Sequence, residues 1–178
     1  MINLSRATRS LSSPNGSSNQ AATEFRGLAQ TGNLLGQATT RSIRRAASPS
    51  MATLEQSVFQ KINQYRQQKG LSSLTLNSTI TQQARQHSQS MAKSRILSHD
   101  GFDIRVKTIG TPIPYRAAAE NVAYNMGFSD PVGQAVNGWI NSAGHLRNIM
   151  GNYDLTGIGV AKNSQNEFYF TQIFIKQL

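Results

Sequence analysis

WINSAGHLRNIMGNYDLTGIGV, residues Trp139–Val160, is where the chain passes from helix to strand. It opens as the end of an apolar helix, with Val132, Ala135, Val136, Trp139 and Ile140 on one stripe. Gly144 breaks that helix, His145 stands beside the break, and Gly157 to Ala161 follows as a glycine-interleaved strand. A histidine at an element boundary is a candidate functional residue, because side chains there can face a cleft rather than a core. Two upstream segments pair with it in chemistry: Leu97-Ser98-His99-Asp100 and Ala119-Glu120-Asn121-Val122. His99, Glu120 and His145 form the candidate polar set.

Working outward, Thr53 and Gln56 fit a capping box, and Leu54, Val58, Ile62 and Tyr65 recur on one helical face that Gly70 ends. Leu71, Leu74 and Leu76 make a short apolar connection. Asn77 or Ser78 caps a second helix whose stripe is Ile80, Ala84, His87 and Met91. Ser98 to Tyr115 carries Gly101, Gly110, Pro112 and Pro114 and reads as a long surface connection, with one helical turn at Asp103 to Lys107. Ala117 to Tyr124 is ambiguous between helix and strand. Asp130 as cap and Pro131 at the first helical position start a third helix. Asn163-Ser164-Gln165-Asn166 turns the chain into a β-branched and aromatic strand, Phe168 to Ile175, which closes a hairpin.

Composition bounds the function classes. The chain has no cysteine, so disulfides, thiolate metal sites and cysteine nucleophiles are excluded. No run reaches the roughly 18 apolar residues of a membrane span. Net charge is +10, spread over both parts of the chain: residues 1–52 hold six Arg against one Glu, and the remainder 12 Lys and Arg against seven acids. A basic balance favours anionic partners without choosing among them, and a solvated basic surface is its simplest meaning. Residues 1–52 are rich in Ser, Arg, Asn and Gln, with scattered apolar positions, and read as a disordered tail. The tail lacks the apolar core of a secretory signal. The folded domain is placed at residues 53–178.

In order along the chain stand Asn63-Gln64-Tyr65-Arg66, Ala84-Arg85-Gln86-His87-Ser88, Leu97-Ser98-His99, Glu120-Asn121-Val122, Trp139-Ile140-Asn141-Ser142-Ala143-Gly144-His145, Gly157-Ile158-Gly159-Val160 and Tyr169-Phe170-Thr171-Gln172. Together they resemble the CAP superfamily, also called the SCP or pathogenesis-related-one family, in its bacterial branch. The resemblance runs from about Thr53 to Ile175. It implies an α-β-α sandwich with a central antiparallel sheet between helical layers, and a cavity lined by two His and two acids. On this chain the histidines would be His99 and His145 and the first acid Glu120. Where the second acid falls in eukaryotic members, this chain has Asn141-Ser142.

Two imidazoles and a carboxylate suit a divalent transition metal, most simply Zn²⁺ with water in the fourth position. The alternative is a hydrogen-bonded polar cluster that fixes loops around the sheet. Asn121 and Ser142 join the candidate cavity set, Asn121 as a bridge from loop to sheet. Ser98 or Ser142 beside a histidine would make a hydrolase, but nothing resembles a nucleophile elbow. His87 reads as a packed, hydrogen-bonded residue of the second helix, and Trp139 and the Phe168, Phe170 and Phe174 face as core. Arg147 adds positive charge near His145. The leading expectation is a binding module for a lipid-like molecule, a wall fragment or a protein, with a metal-assisted hydrolase as the alternative. A tail-driven binder of nucleic acid or another anionic polymer is the third, less favoured reading. An extracellular or cell-envelope location rests on the resemblance alone.

Overall fold

The computed structural model describes residues 48–178, so the tail assigned to residues 1–52 lies almost wholly outside the described residues. The described elements run α1 (Met51–Gln68), β1 (Thr75–Leu76), α2 (Ser78–Ser94), α3 (Phe102–Gly110), β2 (Tyr115–Met126), α4 (Pro131–Ile140), α5 (Ala143–Ile149), β3 (Leu155–Lys162) and β4 (Glu167–Gln177). The strands form one sheet in the order β1-β3-β4-β2. Both long pairings with β4 are antiparallel, as expected; the two-residue β1 adds a parallel pair against β3, which makes the sheet mixed.

Two helical layers enclose the sheet in an α-β-α sandwich. Leu54, Val58 and Ile62 of α1, Val132, Val136 and Trp139 of α4, and Ile149 of α5 pack on Ile158, Val160, Phe170 and Phe174. On the other face, Ile80 and Ala84 of α2 and Phe102, Val106 and Ile109 of α3 pack on Ala118, Ile173 and Ile175. Alternation along β2 follows from the period of two: Ala118 and Val122 face α2 and α3, while Ala119 faces α1, α4 and α5. Glu120 and Asn121 therefore leave the strand on opposite sides.

The capping chemistry is local. Ser50, not Thr53, caps α1, its hydroxyl accepting from the Thr53 amide. Asn77 caps α2 and Asp130 caps α4 ahead of Pro131. Between β3 and α2 the approach is so close that a Cβ on Gly157 would collide with the Ile80 and Thr81 backbone, and one on Gly159 with the Ala84 backbone. The two glycines let α2 settle on the sheet, and Ser88 Oγ then donates to the Gly159 carbonyl at 2.9 Å.

Two further expectations change, and one open reading is settled. The segment after His99 is not one exposed turn but the nine-residue α3, whose Phe102, Val106 and Ile109 are buried. Ala117 to Tyr124 resolves as strand, within the longer β2. Gly144 does not end helical structure at α4: Asn141 and Ser142 make the break, and Gly144 lies inside a second short helix, α5.

β2 is the outermost strand on its side of the sheet. Two of its carbonyls accept side-chain bonds from the helices beside it. Trp139 Nε1 donates to the Val122 carbonyl at 2.9 Å, and Asn148 Nδ2 to the Glu120 carbonyl at 3.3 Å.

Candidate functional site

Glu120 is at the centre of the α2–α3 side, 1% exposed. His99 Nδ1 donates to its Oε1 at 2.9 Å. Arg105, on α3, grips both oxygens: Nε to Oε2 at 2.9 Å and a terminal nitrogen to Oε1 at 2.8 Å. The same guanidinium donates to the Asp100 carbonyl at 2.7 Å and reaches the His99 carbonyl at 3.4 Å. Arg105 thus staples the loop that carries His99 to strand β2. A buried ion pair of this kind holds because both ions are hydrogen-bonded as well as paired.

The loop is set from both ends. Arg95 takes a left-handed conformation (φ 59°) at the end of α2 and bonds Glu167 through two nitrogens, at 3.0 and 2.8 Å. Gly101, at φ 73°, opens α3. His87 Nε2 donates to the Ser98 carbonyl at 2.8 Å and lies 4.0 Å from Glu120 Oε1. His87 is therefore a packed, hydrogen-bonded residue, as its place on the α2 stripe suggested, and it braces the residue before His99. Burial pushes its imidazole below the ordinary range, with the Glu120 charge opposing.

The other wall is α5. Asn121 Nδ2 donates to the His145 carbonyl at 3.2 Å, and Asn148 Nδ2 to Asn121 Oδ1 at 2.9 Å. At the end of α5, Arg66 donates to the carbonyls of Ile149, at 2.6 Å, and Gly151, at 2.9 Å. His145 is 4% exposed. Burial holds its imidazole below the ordinary range, and the neighbouring His99 pushes it the same way.

His99 Nε2 and both ring nitrogens of His145 are buried with no hydrogen-bond partner among the described residues. Buried polar atoms are nearly always paired, so these three nitrogens, like Asn125 Oδ1 and Gln172 Oε1, are groups that water, an ion or a ligand would have to satisfy. Glu120 does not share that openness, because Arg105 and His99 occupy its oxygens. Among the described residues no group of three or more His, Asp or Glu is arranged to hold a metal ion. Within the candidate set, the donors left without a partner are imidazole nitrogens of His99 and His145, not the Glu120 carboxylate. In a neutral His99 whose Nδ1–H is spent on Glu120, Nε2 carries the lone pair, and His145 offers another; neutral imidazole nitrogen is a ligand for zinc.

Ser98 Oγ accepts from the Asp100 amide at 3.3 Å, and Ser142, the residue before α5, makes no side-chain capping bond. Neither hydroxyl bonds a histidine ring, so the described residues hold no Ser–His dyad. Trp139 and Phe170 are core, as expected. The parts played by Arg105, Asn148 and Arg66 were missed in the sequence. Arg105 had one signal, its place within the helical turn proposed for Asp103 to Lys107.

A layered α-β-α domain with two histidines brought to one edge strand defines the class, and the comparisons agree. A family model described as CAP, the cysteine-rich secretory protein family, matches residues 59–174, and the chain belongs to that family. Its own lack of cysteine shows that the fold stands here without disulfides. The chain is 33% identical over 136 residues to the uncharacterized protein YkwD of Bacillus subtilis, covering 73% of this chain and 50% of that protein. It is 30% identical over 128 residues to the uncharacterized membrane protein YlbC of the same organism, covering 70% of this chain and 35% of that one. The chain thus spans half or less of these relatives. Among solved structures, an outer surface protein of Borrelia burgdorferi shares the fold at TM-score 0.64 and 18% identity, covering 73% of this chain and 97% of that one. An extracellular SCP-domain protein of Bacillus anthracis does so at TM-score 0.60 and 24% identity, covering 74% and 45%.

Proposed function

We propose that this protein is a CAP-domain binding module, exported to the cell envelope or beyond. In this reading it takes a lipid-like molecule, a wall fragment or a protein beside β2, where His99 and His145 would hold a divalent metal. The observation that carries the reading is the set of three buried imidazole nitrogens without partners. Glu120 then serves as the carboxylate that orients a metal-binding histidine rather than as a ligand, a common outer-shell arrangement in metal sites. A bound Zn²⁺ would supply a Lewis-acidic centre with positions left for water or ligand. Asn121 and Asn148 hold the His145 helix at its distance from the strand. Export is supported by the structural neighbours, one an outer surface protein and one an extracellular protein. Among the described residues no helix is long and apolar enough to cross a membrane.

Calorimetric titration of the full chain with Zn²⁺ tests the reading, beside His99→Ala and His145→Ala and with p-nitrophenyl acetate as a turnover probe. One-to-one binding lost in both variants, without turnover, is the expected result. Zinc-dependent hydrolysis lost in His145→Ala would replace it with the hydrolase reading. Binding indifferent to both substitutions would remove the metal from the site.

A further inference from the structure

We infer that Arg105 is a positioning residue, which through Glu120 fixes the proton of His99 on Nδ1 and so leaves the Nε2 lone pair as the ring's open acceptor. It deepens the binding reading above and depends on that reading only for its effect on metal affinity.

The geometry is directional. Which nitrogen of a neutral imidazole is protonated is set by the hydrogen bond the ring makes. A free imidazole carries its proton mostly on Nε2. His99 is held the other way, because its Nδ1 faces a carboxylate oxygen, which only accepts. That oxygen, Glu120 Oε1, is kept in place by a terminal nitrogen of Arg105, while Arg105 Nε holds Oε2. A carboxylate with one oxygen free would swing about its last torsion; gripped at both, it has one orientation. Arg105 also bonds the carbonyls of His99 and Asp100, which fixes the ring's backbone against the same guanidinium. Lysine, a point charge without the planar fork, does not reproduce this grip. His145 is the internal control: neither of its ring nitrogens has a partner, so nothing in the described residues sets its tautomer.

The test is a long-range ¹H–¹⁵N correlation of the imidazoles in the full chain without metal, at about pH 8, above the ordinary imidazole range. In the wild type, His99 shows a protonated Nδ1 and a bare Nε2. In Arg105→Met the ring relaxes toward the Nε2–H form, while His145 keeps its wild-type pattern, and zinc affinity falls by about 10- to 100-fold. A folded Arg105→Met that retains the Nδ1–H form overturns the proposal and leaves Arg105 a brace for the loop. If that variant loses its dispersed spectrum, Arg105→Lys is read in its place, with the same two outcomes. The wild-type ring decides in any case: a proton found on His99 Nε2 refutes the assignment. Should the tautomer shift as expected in a chain that binds no zinc, the metal reading fails and the role of Arg105 stands. Zinc binding with an unmoved tautomer gives the converse.

Discussion

Glu120 and Asn121 are consecutive on β2, yet Glu120 bonds His99 at 2.9 Å on one face of the sheet and Asn121 bonds the His145 carbonyl at 3.2 Å on the other. Two histidines far apart in sequence, on different helical layers, are thereby set against neighbouring residues of one strand. The strand itself is the ruler between them. A change at either residue should move one histidine and spare the other.

Glu120→Ala removes the anion of a buried pair and leaves Arg105, itself 8% exposed, without its counter-charge. Breaking such a pair from one side costs about 3–5 kcal/mol. Urea denaturation at neutral pH should show a loss of that size. A loss under about 1 kcal/mol would mean that water enters and solvates Arg105.

Asn121→Ala strips the His145 carbonyl of its Asn121 bond and Asn148 Nδ2 of its nearer acceptor. The expected cost is about 1–3 kcal/mol, that of unpaired buried groups. The ¹⁵N signals of His145 should shift while those of His99 stay. Equal movement of both rings would show that the two walls are not independent.

Gly159→Ala drives a methyl into the α2 backbone at Ala84. Overpacking of this kind costs about 1–3 kcal/mol, and here the obstacle is main chain, which yields less than a side chain. Thermal denaturation should show a lowered Tm, whereas Gly138→Ala, where a Cβ meets open space, should not.

Glu167 is held down to about 2 from an ordinary 4.5 by Arg95 first and Asn163 next. Because the folded value lies below the unfolded one, its stabilisation is complete above about pH 4.5 and is lost as pH falls toward 2. Urea midpoints measured from pH 6 down should therefore decline over that window. In Glu167→Gln the decline should be shallower; an unchanged slope would assign the acid sensitivity to other carboxylates.

Much of this fold could be read from residue order. The stripe of Leu54, Val58 and Ile62 and that of Ile80, Ala84 and Met91 name two helices because each has one wet face and one dry one. Asp130-Pro131 marks α4 by capping chemistry. α3 is hidden in the sequence because Gly101, Gly110 and Pro112 around it outweigh its few apolar residues when no tertiary contact is in view; what makes it a helix is the sheet beneath Phe102, Val106 and Ile109. β1 has two residues and exists only because β3 offers a partner. The site was legible in its titratable side chains and not in its wiring. His99, Glu120 and His145 carry recognisable chemistry, but that Arg105 would claim Glu120 depends on which way a helix turns over a strand, and no local pattern records that. In the sequence, Arg105 looks like one surface arginine among many.

The bonds from Trp139 and Asn148 to the carbonyls of Val122 and Glu120 have a further consequence. An outermost strand ordinarily invites any extended chain to lie alongside it. Here such a visitor would first have to evict an indole and an amide, and the amide belongs to the helix that carries His145. Strand addition at that border would therefore begin by breaking bonds that seat α4 and α5 on the sheet.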